Sequence, residues 1–224
     1  MGNKAFIVTG RHVAVSDMMK QLTALLDENG IDCVIFDGIT GEPTDTMIEN
    51  GVEMLKSSGC DFIIGIGGGS PLDSAKAIAA MAVNEGSIAD YNGKEITGEI
   101  LPLATIPTTA GTGSEATKFT VITDSEKGIK MLLKGDVLVP KLAIVDSSFT
   151  VGAPKSVTSA TGLDALTHAV EAYTSRKALS MTDTLAVSAV KRIMKYLPIA
   201  YKEPDNSLAR EQMSIAALEA GICI

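Results

Sequence analysis

The 224-residue sequence predicts an α/β protein: a parallel sheet covered by helices over residues 1–150, then an all-helical segment over 151–224. Two observations predict it. Short apolar runs alternate three times with helical patterns between Ala5 and Asn84, the signature of a parallel sheet whose connections lie on its faces. After Pro154 strand patterns cease and helical periodicity alone continues, so a boundary falls near 150.

Ala5-Phe6-Ile7-Val8 is a short apolar run ending at Thr9-Gly10, the pattern of a strand buried on both faces. From about Ser16 to Glu28, Met18, Leu22, Leu25 and Leu26 recur at helical spacing, with Ser16 as N-cap and Asn29-Gly30 as the stop. A second strand is expected at Asp32–Phe36 and a second helix over about Asp45–Ser58. Asp61–Gly65 reads as the third strand. The third helix runs from Pro71, in its first turn, to about Asn84. Leu103–Ile106 is a fourth strand, Lys118–Thr123 and Ile129–Leu133 form a hairpin, and Leu142–Asp146 is the last strand. Helices follow at about 155–175, 180–195 and 206–222.

Composition narrows the function classes. The 21 glycines and the 4% aromatic content suit close helix–sheet packing. A net charge of −8 argues against nucleic acid or an anionic membrane surface as partner. The sequence has no run of about 18 apolar residues, so no membrane span is expected. The N-terminus is too short and strand-like for a signal peptide. Cys33, Cys60 and Cys223 are widely spaced without a Cys-x-x-Cys, which favours reduced thiols and a cytoplasmic location.

Two loops carry candidate binding chemistry. Gly65-Ile66-Gly67-Gly68-Gly69-Ser70-Pro71 leaves a strand and opens a helix, where bare backbone amides meet a pyrophosphate at the positive end of the helix dipole. A turn that needs only conformational freedom has the same composition, and Ser70 breaks the Gly-x-Gly-x-x-Gly spacing. Asp73 falls in the first turn of that helix. Thr108-Thr109-Ala110-Gly111-Thr112-Gly113-Ser114-Glu115 is the second loop, at the end of a strand, where open α/β sheets bind ligands. Lys130 on the hairpin offers a positive charge, or is simply solvated.

Asp164 and His168 stand at i and i+4 of a helical pattern, so both side chains reach one point on a single face. Such a pair holds one side of a divalent cation, or is structural. The other histidine of the chain is His12.

Three co-linear motifs give the chain a resemblance to the iron-containing (group III) alcohol dehydrogenases. They are Gly67-Gly68-Gly69-Ser70-Pro71-Leu72-Asp73-Ser74-Ala75-Lys76, Pro107–Glu115, and the Gly162-Leu163-Asp164-Ala165-Leu166-Thr167-His168 region. The resemblance covers essentially the whole chain. It implies the fold of that family and of dehydroquinate synthase, a dinucleotide-binding α/β domain at 1–150 followed by the start of a helical metal-binding domain. It also implies hydride transfer between a nicotinamide cofactor and a small primary alcohol or aldehyde. By resemblance, Gly67, Gly68, Gly69 and Ser70 hold the pyrophosphate, and Asp73, Thr108 and Thr109 lie toward the nicotinamide. Lys130 lies toward the ribose, and Asp164 and His168 are two metal ligands for Fe(II) or Zn. A homo-oligomer, dimer or larger, is expected. A glycerol-dehydrogenase-like enzyme, or a nucleotide-binding module without chemistry, are the alternative readings.

The sequence departs from the family twice. Two further histidine ligands are expected downstream, beyond the apolar stretch Glu219–Ile224. The chain therefore reads as a fragment that binds metal weakly and exposes an apolar face. After the first strand, NAD-preferring relatives carry an acidic residue, whereas this chain has Val8-Thr9-Gly10-Arg11-His12. Gly10 removes a charge that would repel a 2′-phosphate and Arg11 can pair with one, so NADP is expected, with NAD as the alternative. Asp37, after the second strand, is the rival ribose contact.

Overall fold

The computed structural model describes all residues, Met1–Ile224. They form two compact units: Met1–Ile106 with Lys118–Ala143, and Pro107–Thr117 with Ile144–Ile224. The loop 107–117 thus groups with the helical part of the chain, and the change of unit falls after Ala143.

In the first unit, five strands form one sheet: β1 (Lys4–Val8), β2 (Asp32–Phe36), β3 (Phe62–Gly67), β4 (Leu103–Pro107) and β7 (Leu142–Ala143), in the order β2-β1-β3-β4-β7. The pairings β1–β2, β1–β3 and β4–β7 are parallel. Continuous apolar runs make this possible, because β3 is buried throughout and Ala5 to Val8 are wholly inaccessible. The helices α2 (Asp17–Glu28) and α3 (Asp45–Ser58) start where hydroxyl caps stand. Ser16 Oγ accepts from the Met19 amide at 3.3 Å, and Thr44 Oγ1 from the Met47 amide at 3.2 Å. Helix α4 (Gly69–Met81) buries Leu72 and every residue from Ser74 to Met81, so it is a core helix without an amphipathic stripe. Phe6, Val8, Ile48, Ile63 and Ile78 belong to one core with it.

The antiparallel hairpin of β5 (Phe119–Asp124) and β6 (Ile129–Lys134) is a separate two-stranded sheet. Three consecutive residues of β5 bind α4. The Phe119 carbonyl accepts from Lys76 Nζ at 2.9 Å, Thr120 Oγ1 donates to the Asp73 carbonyl at 2.8 Å, and the Val121 amide donates to Asp73 Oδ2 at 2.8 Å.

The second unit contains α5 (Lys155–Thr174), α6 (Ser180–Lys202) and α7 (Ser207–Cys223), packed through an alanine-rich seam of Ala165, Ala169, Ala189, Ala216 and Ala220 around Ile193. Small side chains let the helix backbones approach closely, and the loop 107–117 uses the same device. Gly113, at φ +62°, lies so close to α7 that a Cβ there would meet Gly221 Cα at 2.6 Å and the Ala217 carbonyl oxygen at 2.9 Å. No helix is long and apolar enough to cross a membrane.

The α/β architecture with a helical continuation is as the sequence predicts, but several bounds differ. Helix α4 begins at Gly69, because the missing amide of Pro71 is harmless in the first turn, and it ends at Met81. The last strand keeps only Leu142 and Ala143. Asp146 leaves the sheet to accept from the Ser148 amide at 2.8 Å, capping a 3₁₀ turn at Ser147–Thr150. Helix α6 continues through Pro198 to Lys202: a proline removes one ladder bond, while the buried flanks Ile193 and Ala200 hold the helix on its neighbours. A short helix, α1 (Arg11–Ala14), was not expected and follows β1 directly.

Candidate functional site

The strand order locates the first candidate region. From β1 the chain moves to β2 on one side, then returns to β3 on the other, so the direction of winding reverses between β1 and β3. Open α/β sheets bind ligands in the crevice beyond the carboxyl ends of strands at such a reversal. Here those ends carry Thr9-Gly10-Arg11 and Gly67-Gly68-Gly69-Ser70. Thr9 is fully buried, and its Oγ1 donates to the Ile66 carbonyl at 2.8 Å, tying the two strand ends together.

Gly67 has φ +147°, and a Cβ there would meet Pro71 Cγ at 2.7 Å, so the tight turn into α4 requires glycine. Gly68 occupies the N-cap of α4 with no side-chain hydrogen bond to the helix. Gly68, Gly69 and Ser70 are all partly accessible. An uncapped helix start at partly accessible residues is the setting in which anionic groups bind.

On the β1 side, Gly10 is the N-cap of α1, again without a side-chain cap, and forms a bridge to Gly38. Arg11 and His12 are exposed, as is Asp37.

Two sequence-derived candidates have partners of their own. Asp73 Oδ2 accepts from the Val121 amide, so the carboxylate helps dock the hairpin on α4. Lys130 Nζ lies 2.5 Å from Glu42 Oε1, with the two side chains 62% and 65% exposed. The hairpin turn is held by Asp124, whose carboxylate accepts from Lys127 Nζ at 2.8 Å and from the Lys127 amide at 2.9 Å. Those bonds hold its carboxyl below the usual range.

In the helical unit, Thr108 and Thr109 open the loop 107–117. Asp164 and His168 share one face of α5, with Asp164 Oδ1 3.8 Å from His168 Nε2 and side chains 42% and 26% exposed. His168 Nδ1 is buried without a hydrogen-bond partner, while Nε2 lies beside the carboxylate. One imidazole nitrogen and one carboxylate oxygen on the same helix face are donors of the kind that suit Fe(II) or Zn. The pair fits as two ligands of a set, since no group of three or more His, Cys, Asp or Glu side chains is close enough to hold a metal.

Sequence reasoning missed three residues. Lys76 is fully buried and donates to the Phe119 carbonyl, and its signal was a lysine within the apolar run Ala75–Ile78. Thr9 gave no signal beyond its place at a strand end. Arg210, 4% exposed in α7, was hidden by the polar residues around it.

Comparison with known proteins also divides the chain in two, though residues 107–117 there go with the first part. A family model described as iron-containing alcohol dehydrogenase matches residues 1–147. The model for the C-terminal part of the Fe-containing alcohol dehydrogenase family matches 158–224. The chain is 41% identical over 220 residues to the NAD-dependent methanol dehydrogenase of Bacillus methanolicus, covering 98% of this chain and 58% of that protein. It is 40% identical over 225 residues to the 1,3-propanediol dehydrogenase of Citrobacter freundii, covering 99% and 58%. Among solved structures, a 1,3-propanediol oxidoreductase superposes with a TM-score of 0.96 at 38% identity, over 99% of this chain and 58% of that one. Sulfoacetaldehyde reductase from Bifidobacterium kashiwanohense in complex with NAD+ gives a TM-score of 0.92 at 34% identity, over 99% and 59%. The chain therefore spans less than two thirds of the length of these relatives.

Proposed function

We propose a function from one premise: the chain belongs to the iron-containing alcohol dehydrogenase family. The protein transfers a hydride between a nicotinamide dinucleotide and a small primary alcohol or aldehyde. In the oxidative direction the alcohol carbon gives a hydride to the nicotinamide ring, its hydroxyl gives a proton to solvent, and an aldehyde and NAD(P)H are formed. The observation that carries this reading is the turn at Gly67, which opens on an uncapped helix start where the winding of the sheet reverses.

In this reading residues 1–150 hold the dinucleotide and 151–224 begin the metal-binding helical domain. The amides of Gly69 and Ser70 meet the pyrophosphate, with Gly67 and Gly68 giving the backbone room to approach. Thr108 and Thr109 supply hydroxyls toward the nicotinamide end. Asp73 acts there through the hairpin it docks. Lys130, which moves off Glu42 at modest cost because the pair is exposed, serves the ribose. Gly10 and the exposed Arg11 favour NADP(H), since glycine at this position brings no carboxylate of its own to repel a 2′-phosphate. Asp164 and His168 hold Fe(II) or Zn. Such an ion, when bound, polarises the substrate oxygen and makes hydride departure or acceptance easier. Assembly into a dimer or larger oligomer is supported by apolar side chains left on the surface of the helical unit: Leu163 54%, Tyr173 53%, Met181 75% and Met194 65% exposed.

Titration of the chain with NADH and NADPH, followed by nicotinamide fluorescence, tests the first half of this reading. Saturable binding is expected, with NADPH at least as tight as NADH. Ser70→Glu, which puts a negative charge at the helix start, is expected to weaken both by about tenfold or more. A chain that binds neither dinucleotide at millimolar concentration would refute it. For the second half, calorimetry with Zn(II) is expected to show weak binding that His168→Ala removes. Unchanged binding in that variant would assign the metal elsewhere.

A further inference from the structure

The helical unit contains a buried cation that the reading above does not use. The guanidinium of Arg210 bridges two places: its Nε donates to the Pro204 carbonyl at 2.8 Å, ahead of α7, and its Nη1 donates to Thr158 Oγ1 on α5 at 2.9 Å. Its Nη2 is buried with no partner. Burial pushes the guanidinium below its ordinary pKa, and Asp205 opposes that shift. A buried donor on a charged group is expensive to leave unmade, so an unfilled Nη2 calls for a ligand.

Arg210 also lines a cavity of about 10 Å³, together with Thr109, Thr158, Thr161, Ala153 and Met213. That volume is room for one water molecule. The residues that line it carry both halves of a water's bonding. Arg210 has the hydrogens on Nη2 left to give. Thr161 Oγ1 already gives its own hydrogen to the Val157 carbonyl at 2.9 Å, so its lone pairs are left to accept. Thr109, which also lines the cavity, belongs to the loop 107–117.

We propose that this cavity holds a single ordered water, and that through it Arg210 is a positioning residue for Thr109 and the loop that carries it. The water accepts from Nη2 and donates to Thr109 Oγ1, so the guanidinium fixes where the loop sits on α5 and α7. Its relevance to cofactor binding rests on the reading that Thr108 and Thr109 serve the nicotinamide end. The water bridge itself does not.

The test uses amide hydrogen exchange, read on loop amides with defined bonds: Ser114, donating to Thr112 Oγ1 at 3.3 Å, and Ala116, donating to the Gly113 carbonyl at 2.8 Å. Arg210→Gln and Thr109→Val are each expected to speed exchange at these two amides by about tenfold or more. The double variant should do little more than either alone, because both remove the same bridge. Amides of the seam, such as Ala165 and Ala189, should stay as protected as before, and Arg210→Lys should recover part of the loop's protection. Exchange that rises equally through the whole helical unit, or additive effects in the double variant, would overturn the positioning role. If Arg210→Gln does not fold, Thr109→Val and a high-resolution crystal structure decide the matter. Density for a water within hydrogen-bond reach of both Nη2 and Thr109 Oγ1 supports the proposal, and an empty cavity or a water held without Thr109 refutes it. Weaker NADH binding in step with faster loop exchange links the bridge to the cofactor. A chain that never binds NADH sinks the cofactor reading, while the exchange and the density still decide the bridge.

Discussion

Replacing Gly113 with alanine asks how firmly the loop 107–117 is seated on the helices. At φ +62° an alanine occupies the left-handed region, which costs about 1–2 kcal/mol for a residue with a Cβ. The new methyl would also stand 2.6 Å from Gly221 Cα, 2.9 Å from the Ala217 carbonyl oxygen and 3.0 Å from the Gly221 amide nitrogen. All three are backbone atoms of α7, so no side-chain rotation relieves the contact. Either the loop lifts or the helix shifts, an overpacking cost of about 1–3 kcal/mol. The sum is about 2–5 kcal/mol. Gly152 provides the control in the same unit, with φ +84° and no atom within 4 Å of where an added methyl would stand. Gly152→Ala should therefore show the conformational cost alone, about 1–2 kcal/mol. Urea unfolding followed by far-UV circular dichroism separates the two. With a slope of about 1–3 kcal/mol per molar urea, the midpoint of Gly113→Ala should fall below that of Gly152→Ala by on the order of 1 M. Equal midpoints would refute the close seating of the loop.

Three further outcomes are expected. Asp124, held below its ordinary pKa near 3.8 first by the Lys127 side chain and then by the Lys127 amide, contributes stability above that ordinary value and loses it as pH falls through its lower folded value. Asp124→Asn should flatten the acid limb of the stability profile, and an unchanged limb would remove the hairpin turn from acid sensitivity. Lys130→Ala should shift stability by no more than about 0.5–1 kcal/mol because both partners of the pair are exposed, yet weaken dinucleotide binding. Equal affinity in wild type and variant would exclude Lys130 from the ribose. Gly10→Asp should reduce NADPH binding relative to NADH by about tenfold or more, with Gly10→Ala as the steric control, since a Cβ there meets the Ile39 carbonyl oxygen at 3.0 Å. An unaltered ratio would show that this strand end does not read the 2′-position.

Much of the fold was legible because its signals are local. Continuous apolar runs named β1 to β3, and the hydroxyl cap Ser16 marked where α2 begins. What was not legible depended on competition or on distance. Asp146 had a strand on one side and a turn cap on the other, and the side-chain cap won. Pro198 signals a stop, yet packing on both sides carries the helix through it. Among the candidate site residues, Asp164 and His168 were paired by helical periodicity alone, and the structure brings them to 3.8 Å. By contrast, the bond from the Val121 amide to Asp73 spans 48 positions and that from Lys130 to Glu42 spans 88, so nothing in either residue's neighbourhood announced its partner. Arg210 was invisible for the same reason, with Thr158 52 positions away.

The chain enters the helical unit twice, first for Pro107–Thr117 and again from Ile144 onward. That unit is consequently discontinuous in sequence, and it has an assembly order. Its earlier piece is made before β5, β6 and β7, and must wait for α7 to emerge before Gly113 can find Gly221. A polypeptide of residues 144–224 alone would carry α5, α6 and α7 but lack the segment that packs over Gly221. Supplying 107–117 as a separate peptide should then complement it, in the manner of a split protein.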